Sequence, residues 1–231
     1  MPTTIDLVLD RKIAHHTPDQ LHGLACSLLE GARADHQSAH KAFTVWPLRQ
    51  SPTGQVLRLT LLGAGNQTGH PLTTRLRLGS QIFGVAERQD LYTPFEALFD
   101  TPPRSSVTLS FETPTYFSRN GRDLPLPDPV LVFGSLARRW NLYVPQHLRF
   151  DDDSVRALTK SIVLTDARID VVAAKAAHRM HRAGFIGTAS FEVIEKGRAT
   201  EAILGVLSNS AEYLGVGAQT TRGFGVTLAV S

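Results

Sequence analysis

Tyr213-Leu-Gly-Val-Gly-Ala-Gln-Thr-Thr-Arg-Gly-Phe-Gly-Val-Thr-Leu-Ala-Val230 closes the chain, with glycines at 215, 217, 223 and 225. Val226–Val230 is apolar and mostly β-branched, the composition of a strand. A dinucleotide fingerprint needs a helix after the glycines, so Gly215-Val216-Gly217 is not a Rossmann loop. A P-loop needs Gly-Lys-Ser/Thr, which the stretch lacks. Two readings stay open. The N–H groups of Gly215, Gly217, Gly223 and Gly225, unhindered by a Cβ, could cradle phosphate oxygens, with Arg222 adding a fork of donors. Alternatively, the stretch is a glycine-kinked hairpin.

Working back from this loop, Thr200–Leu214 carries Ile203, Leu204, Leu207 and Ala211 at helical spacing. Ser161–Ala174 and Ala183–Ile194 read as paired strands joined by a basic turn. Val130–Trp140 is helical, with Val132, Phe133, Leu136 and Trp140 on one face. Asn120–Pro129 reads as loop, and Val107–Phe111 alternates as a strand. Strand, helix, strand, strand, helix, strand is the split βαβ order of a ferredoxin-like domain. The first part permits the same order. Thr3–Leu9 is a strand, and Thr17-Pro18-Asp19 starts a helix running toward Gly31. Phe43–Leu48, Gln55–Leu62 and Gly79–Glu87 are strand-like, while residues 66–76 make only a poor second helix. Thr101-Pro102-Pro103 reads as a linker. The expected fold is therefore α+β, two tandem ferredoxin-like domains, residues 1–103 and 104–231.

The totals suit an ordinary globular protein: 231 residues, 42% hydrophobic, 19% charged, net charge +3. Up to Pro103, nine Lys/Arg balance nine Asp/Glu, so the positive excess lies in the second part with the glycine loop. One cysteine, Cys26, excludes an internal disulfide and suggests a reducing, cytoplasmic compartment. It sits beside Leu24, Leu28 and Leu29 and reads as core. No apolar run reaches the length of a membrane span, so no membrane partner is expected. No metal or other cofactor is expected either. Asp151-Asp152-Asp153 reads as a solvated helix start.

Phe111-Glu112-Thr113-Pro114-Thr115-Tyr116-Phe117, Leu124-Pro125-Leu126-Pro127, Val132-Phe133-Gly134-Ser135-Leu136 and Gly184-Phe185-Ile186-Gly187, followed by the terminal loop, resemble one family. It is that of the CRISPR-associated repeat-processing endoribonucleases, the "Cas six" family of the RAMP superfamily. His36-Gln-Ser-Ala-His-Lys-Ala-Phe-Thr44 with Pro47-Leu48 resembles that family's histidine followed by Lys-Pro-Phe-Thr and Ser-Pro-Leu. Ala42 replaces the usual proline, and Trp46 stands where a small residue is common.

The resemblance implies binding of a CRISPR repeat RNA hairpin and metal-independent cleavage within each repeat. It also implies company among the other Cas proteins of a type I surveillance complex, and it leaves monomer and homodimer both open. Some relatives only bind, so a non-catalytic RNA-binding RAMP subunit is the alternative.

Such cleavage needs a base for a ribose 2′-OH, an acid for the leaving 5′-oxygen, and positive charge for the phosphorane. Histidine suits the proton work. His36 is the better positional match and His40 the second. Lys41 is the candidate for charge stabilisation. For RNA binding, the candidates are Arg138 and Arg139 on the polar side of their helix, and Lys175, Arg179 and Arg182 around the basic turn. Gly215, Gly217, Gln219, Thr220, Arg222, Gly223 and Gly225 complete the set from the terminal loop. Each has a bland counterpart: a solvated loop histidine, a helix surface, a hairpin tip.

Overall fold

The computed structural model describes residues 1–29, 41–63, 75–175, 181–195 and 197–230. In the first part, β1 (Thr3–Leu9) leads to α1 (Pro18–Leu29), then β2 (Phe43–Val45), β3 (Arg49–Ser51), β4 (Gly54–Leu61), β5 (Arg75–Leu78) and β6 (Gln81–Tyr92). The strand order is β2-β4-β1-β6-β5, with β3 alongside β4. Taking β1, β2, β4 and β6 as the framework gives the antiparallel order of a ferredoxin-like sheet. Ile5, Leu7 and Leu9 of the central strand alternate inward, where Leu21, Leu24, Ala25 and Leu29 of α1 meet them.

Thr17 and Gln20 start α1 reciprocally. The Gln20 N–H donates to Thr17 Oγ1 at 3.3 Å, and the Thr17 N–H to Gln20 Oε1 at 2.9 Å. This is a capping box, with Pro18 at the position where a missing N–H costs nothing.

Three expectations need adjusting here. The strand expected over 43–48 ends at Val45, because Pro47 has no N–H to continue the ladder. Of the weak helix expected over 66–76, residues 66–74 lie outside the described residues, and Arg75 and Leu76 belong to β5. The third is an element the periodicity did not suggest, α2 (Phe95–Phe99). Its Phe95 and Leu98 join the core of the second part, as does Leu62 from the end of β4.

The second part runs β7 (Ser106–Thr115), β8 (Phe117–Arg119), β9 (Arg122–Leu124), α3 (Pro129–Tyr143), α4 (Asp152–Ser161), β10 (Ile162–Lys175), β11 (His181–Val193), α5 (Arg198–Leu214) and β12 (Thr227–Val230). Its sheet order, β10-β11-β7-β12, repeats the ferredoxin-like arrangement. The stretch expected as loop over 120–129 contains β9, which pairs with β8 in a small separate hairpin. The acidic triplet starts a helix as expected, Asp151 accepting from the Ser154 N–H at 2.7 Å. Trp140 is fully buried, its Nε1 donating to Leu148 O at 2.8 Å. Phe111, Phe133, Phe185 and Phe191 fill the rest of this aromatic core.

Candidate functional site

The glycine loop folds back on its own protein. The N–H of Gly215 donates to Ala211 O at 2.8 Å, that of Gly217 to Ser135 Oγ at 3.0 Å, and that of Gly225 to Pro114 O at 3.2 Å. The amides of Gly215, Gly217 and Gly225 thus bond within the protein, and these glycines shape the loop. At Gly225, φ is +68° and an added Cβ would lie 1.9 Å from Val216 O, closer than any real contact. At Gly217, φ is +77° and a Cβ would meet Tyr116 O at 2.4 Å. Gly223 packs against Pro47 of the first part.

The tip of the loop also docks on α1. His22 Nδ1 lies 3.1 Å from Thr221 O, its ring stacks on Phe43, and Arg222 Nε donates to Asp19 at 3.2 Å. His22 Nε2 is 3.6 Å from Sγ of Cys26, which is half-buried rather than deep in the core.

Between this loop, β8 and α3 lies a cleft of about 730 Å³. It gathers Lys41, Arg138, Arg139, Gly217, Gln219, Thr220 and Arg222, candidates that are far apart in sequence. Arg138 is exposed. Arg139 is not on the polar side of α3 as expected. Its Nε and Nη2 are buried without a hydrogen-bond partner among the described residues, and burial lowers its pKa from the ordinary arginine value. The Tyr143 ring faces it, with Arg139 Cζ 5.9 Å from the centroid. Tyr143 in turn donates its hydroxyl to Lys41 O at 2.8 Å, tying α3 to the first part. Burial raises the pKa of that phenol, so it stays a neutral donor. Gln219 also has a buried, unpartnered atom, Oε1.

Arg182 and Lys175 do not line this cleft. Arg182 donates to Asp123 of β9 at 3.2 and 3.3 Å, which holds it against the small hairpin. Lys175 pairs with His181 in register at the far end of the β10–β11 hairpin and is exposed. His36, His40 and Arg179 lie outside the described residues.

The sequence reading passed over Tyr143, Phe117 and Arg119, all of which line the cleft. Tyr143 had a usable signal: it is four residues beyond Arg139, so the two share a helix face. Phe117 and Arg119 had none, because their placement depends on a hairpin too short to show periodicity.

Two tandem ferredoxin-like sheets closed by a glycine-rich loop define a two-domain protein of the RAMP class. Residues 109–227, just over half of the chain, match the family model described as CRISPR-associated endoribonuclease Cas6. The Cas6 endoribonuclease of Mycobacterium tuberculosis is 27% identical over 239 residues, covering 96% of this chain and 74% of that one. The Streptococcus thermophilus Cas6 is 27% identical over 118 residues, 51% of this chain, and the match spans only 48% of that relative. Among solved structures, a Cas6 product complex superposes with a TM-score of 0.87 at 27% identity, covering 100% of both chains. The chain belongs to the Cas6 family.

Proposed function

We propose that this protein binds CRISPR repeat RNA and cuts it without a metal, releasing guide-length RNAs. In the reaction a ribose 2′-oxygen bonds to the adjacent phosphorus and the bond to the 5′-oxygen breaks. The products are a 2′,3′-cyclic phosphate and, once the leaving 5′-oxygen has taken up a proton from an acid or from water, a 5′-hydroxyl. His36 takes the 2′-OH proton in this reading, with His40 the second choice, and Lys41 balances charge on the phosphorane. The observation that carries the proposal is the cleft itself. It sets Lys41, which follows both histidines in the chain, beside Arg138 and the cationic edge of Arg139. The solved Cas6 of similar fold is a product complex.

The test is a binding and cleavage assay on the host's repeat RNA with wild type, His36→Ala and His40→Ala. One histidine variant is expected to keep its affinity and lose about 10²- to 10⁴-fold in cleavage rate. Cleavage unchanged in both variants would overturn the assignment of the base. Tight binding by wild type with no cleavage would make the protein an RNA-holding subunit.

A further inference from the structure

Two side chains that line the cleft carry polar edges left unanswered among the described residues. Nε and Nη2 of Arg139 are buried with no partner there, and so is Oε1 of Gln219. Both side chains line the same cleft. Nε and Nη2 are the two donors on one edge of the guanidinium, and they match two acceptors lying side by side. No carboxylate forms an ion pair with Arg139 among the described residues, and the Tyr143 ring faces it.

Gln219 gives a second sign. Its φ is +57°, one of two left-handed non-glycine residues among those described, in a loop where glycine supplies that conformation at four other positions. A glutamine there carries backbone strain that glycine would not. The strained residue is the one that projects an unpaired acceptor.

A bare phosphodiester answers only half of this arrangement, since it offers acceptors to Arg139 and no donor to Gln219. Guanine answers both. Its O6 and N7 are adjacent acceptors for the arginine fork, and its N1–H and N2 amine are donors for the glutamine oxygen. Adenine would set its N6 donors against Arg139, and pyrimidines lack N7. The cleft walls include Phe117, Leu131 and Tyr143, surfaces suited to a splayed-out base, while Arg119 and Arg138 are placed for phosphates.

We infer that the cleft between α3 and the glycine loop reads one unpaired guanine of the bound RNA, through Arg139 on O6 and N7 and Gln219 on N1 and N2. This rests on the RNA-processing reading above. It adds a sequence-specificity site distinct from the candidate histidines.

The test replaces each guanine of the repeat RNA in turn by 7-deazaguanine, which removes the N7 acceptor, or by inosine, which removes the N2 amine. Affinities are measured for wild type, Arg139→Met and Gln219→Asn (asparagine tolerates the left-handed backbone). At one position outside the hairpin stem, wild type is expected to lose about tenfold or more with 7-deazaguanine and to lose affinity with inosine. Arg139→Met should bind the unmodified RNA about 10- to 100-fold more weakly and show no further 7-deazaguanine penalty. Gln219→Asn should lose the inosine penalty alone. Arg139→Lys, which keeps the charge and loses the fork, carries the same test should the methionine variant fail to fold. Wild type that binds repeat RNA but is indifferent to every substitution overturns the guanine site and leaves the RNA reading standing. Wild type that binds no repeat RNA overturns both.

Discussion

Arg139 and Arg182 look interchangeable in the sequence, each part of a local cluster of positive charge, yet the fold gives them opposite jobs. Arg182 leaves the far end of the long hairpin and meets Asp123, a half-buried pair at 3.2 Å with side chains 29% and 16% exposed. Arg139 leaves α3, enters the cleft and meets no carboxylate among the described residues, only the ring of Tyr143. The first arginine is used in holding β9 to β11. The second is a buried cation whose partner the described fold does not supply. Charge near a surface thus says little about binding until its through-space neighbours are known, and for Arg182 that neighbour comes from a strand about sixty residues away.

The largest effect expected lies in the scaffold that both arginines depend on. Gly225→Ala must force a Cβ into Val216 O at positive φ, so it should cost about 3 kcal/mol or more in a urea titration. A variant as stable as wild type would show that the loop is not built as described. Next, Arg182→Met leaves Asp123 without its partner and should lose about 1–3 kcal/mol, reduced from the fully buried case because both groups see some water. Arg139→Met should lose no such stability, because it removes a buried cation whose Nε and Nη2 have no hydrogen-bond partner among the described residues. If the two stability changes came out alike, the contrast between the arginines would fail.

Tyr143→Phe removes the hydroxyl that holds Lys41 O and should cost about 0.5–1.5 kcal/mol. Its cleavage rate should fall while RNA affinity is kept, since the lost bond positions the chain at Lys41. The smallest effect belongs to exposed Arg138. Arg138→Ala should weaken RNA binding modestly at every sequence and lower the slope of log affinity against log salt by about one. Loss of base selectivity instead would move the reading role from Arg139 to Arg138.

Much of the architecture was legible in advance. Period-two and period-3.6 patterns located β1, β4, α1, α3, β10, β11 and α5 to within a few residues, and all of them except the largely exposed β10 bury a clear apolar face. Short elements were not. α2 has five residues and the β8–β9 hairpin has three per strand, too few for a period to emerge. The glycine loop was half legible. Its glycines announced tight backbone, but only the structure shows that their amides answer Ala211, Ser135 and Pro114. Arg139 was misplaced for a related reason: it lines a cleft closed by a loop that returns to α3 from some eighty residues downstream, as the Gly217–Ser135 bond shows. No window around α3 contains that information.

The most direct measurement uses repeat RNA with a single 2′-deoxyribose at the cut, incubated with wild-type protein in EDTA beside the unmodified RNA. Unmodified RNA is expected to be cut in EDTA to a 2′,3′-cyclic phosphate and a 5′-hydroxyl, and the 2′-deoxy RNA to be bound equally well and left intact. Cleavage of the 2′-deoxy RNA, or cleavage abolished by EDTA, would contradict metal-free attack by the 2′-oxygen.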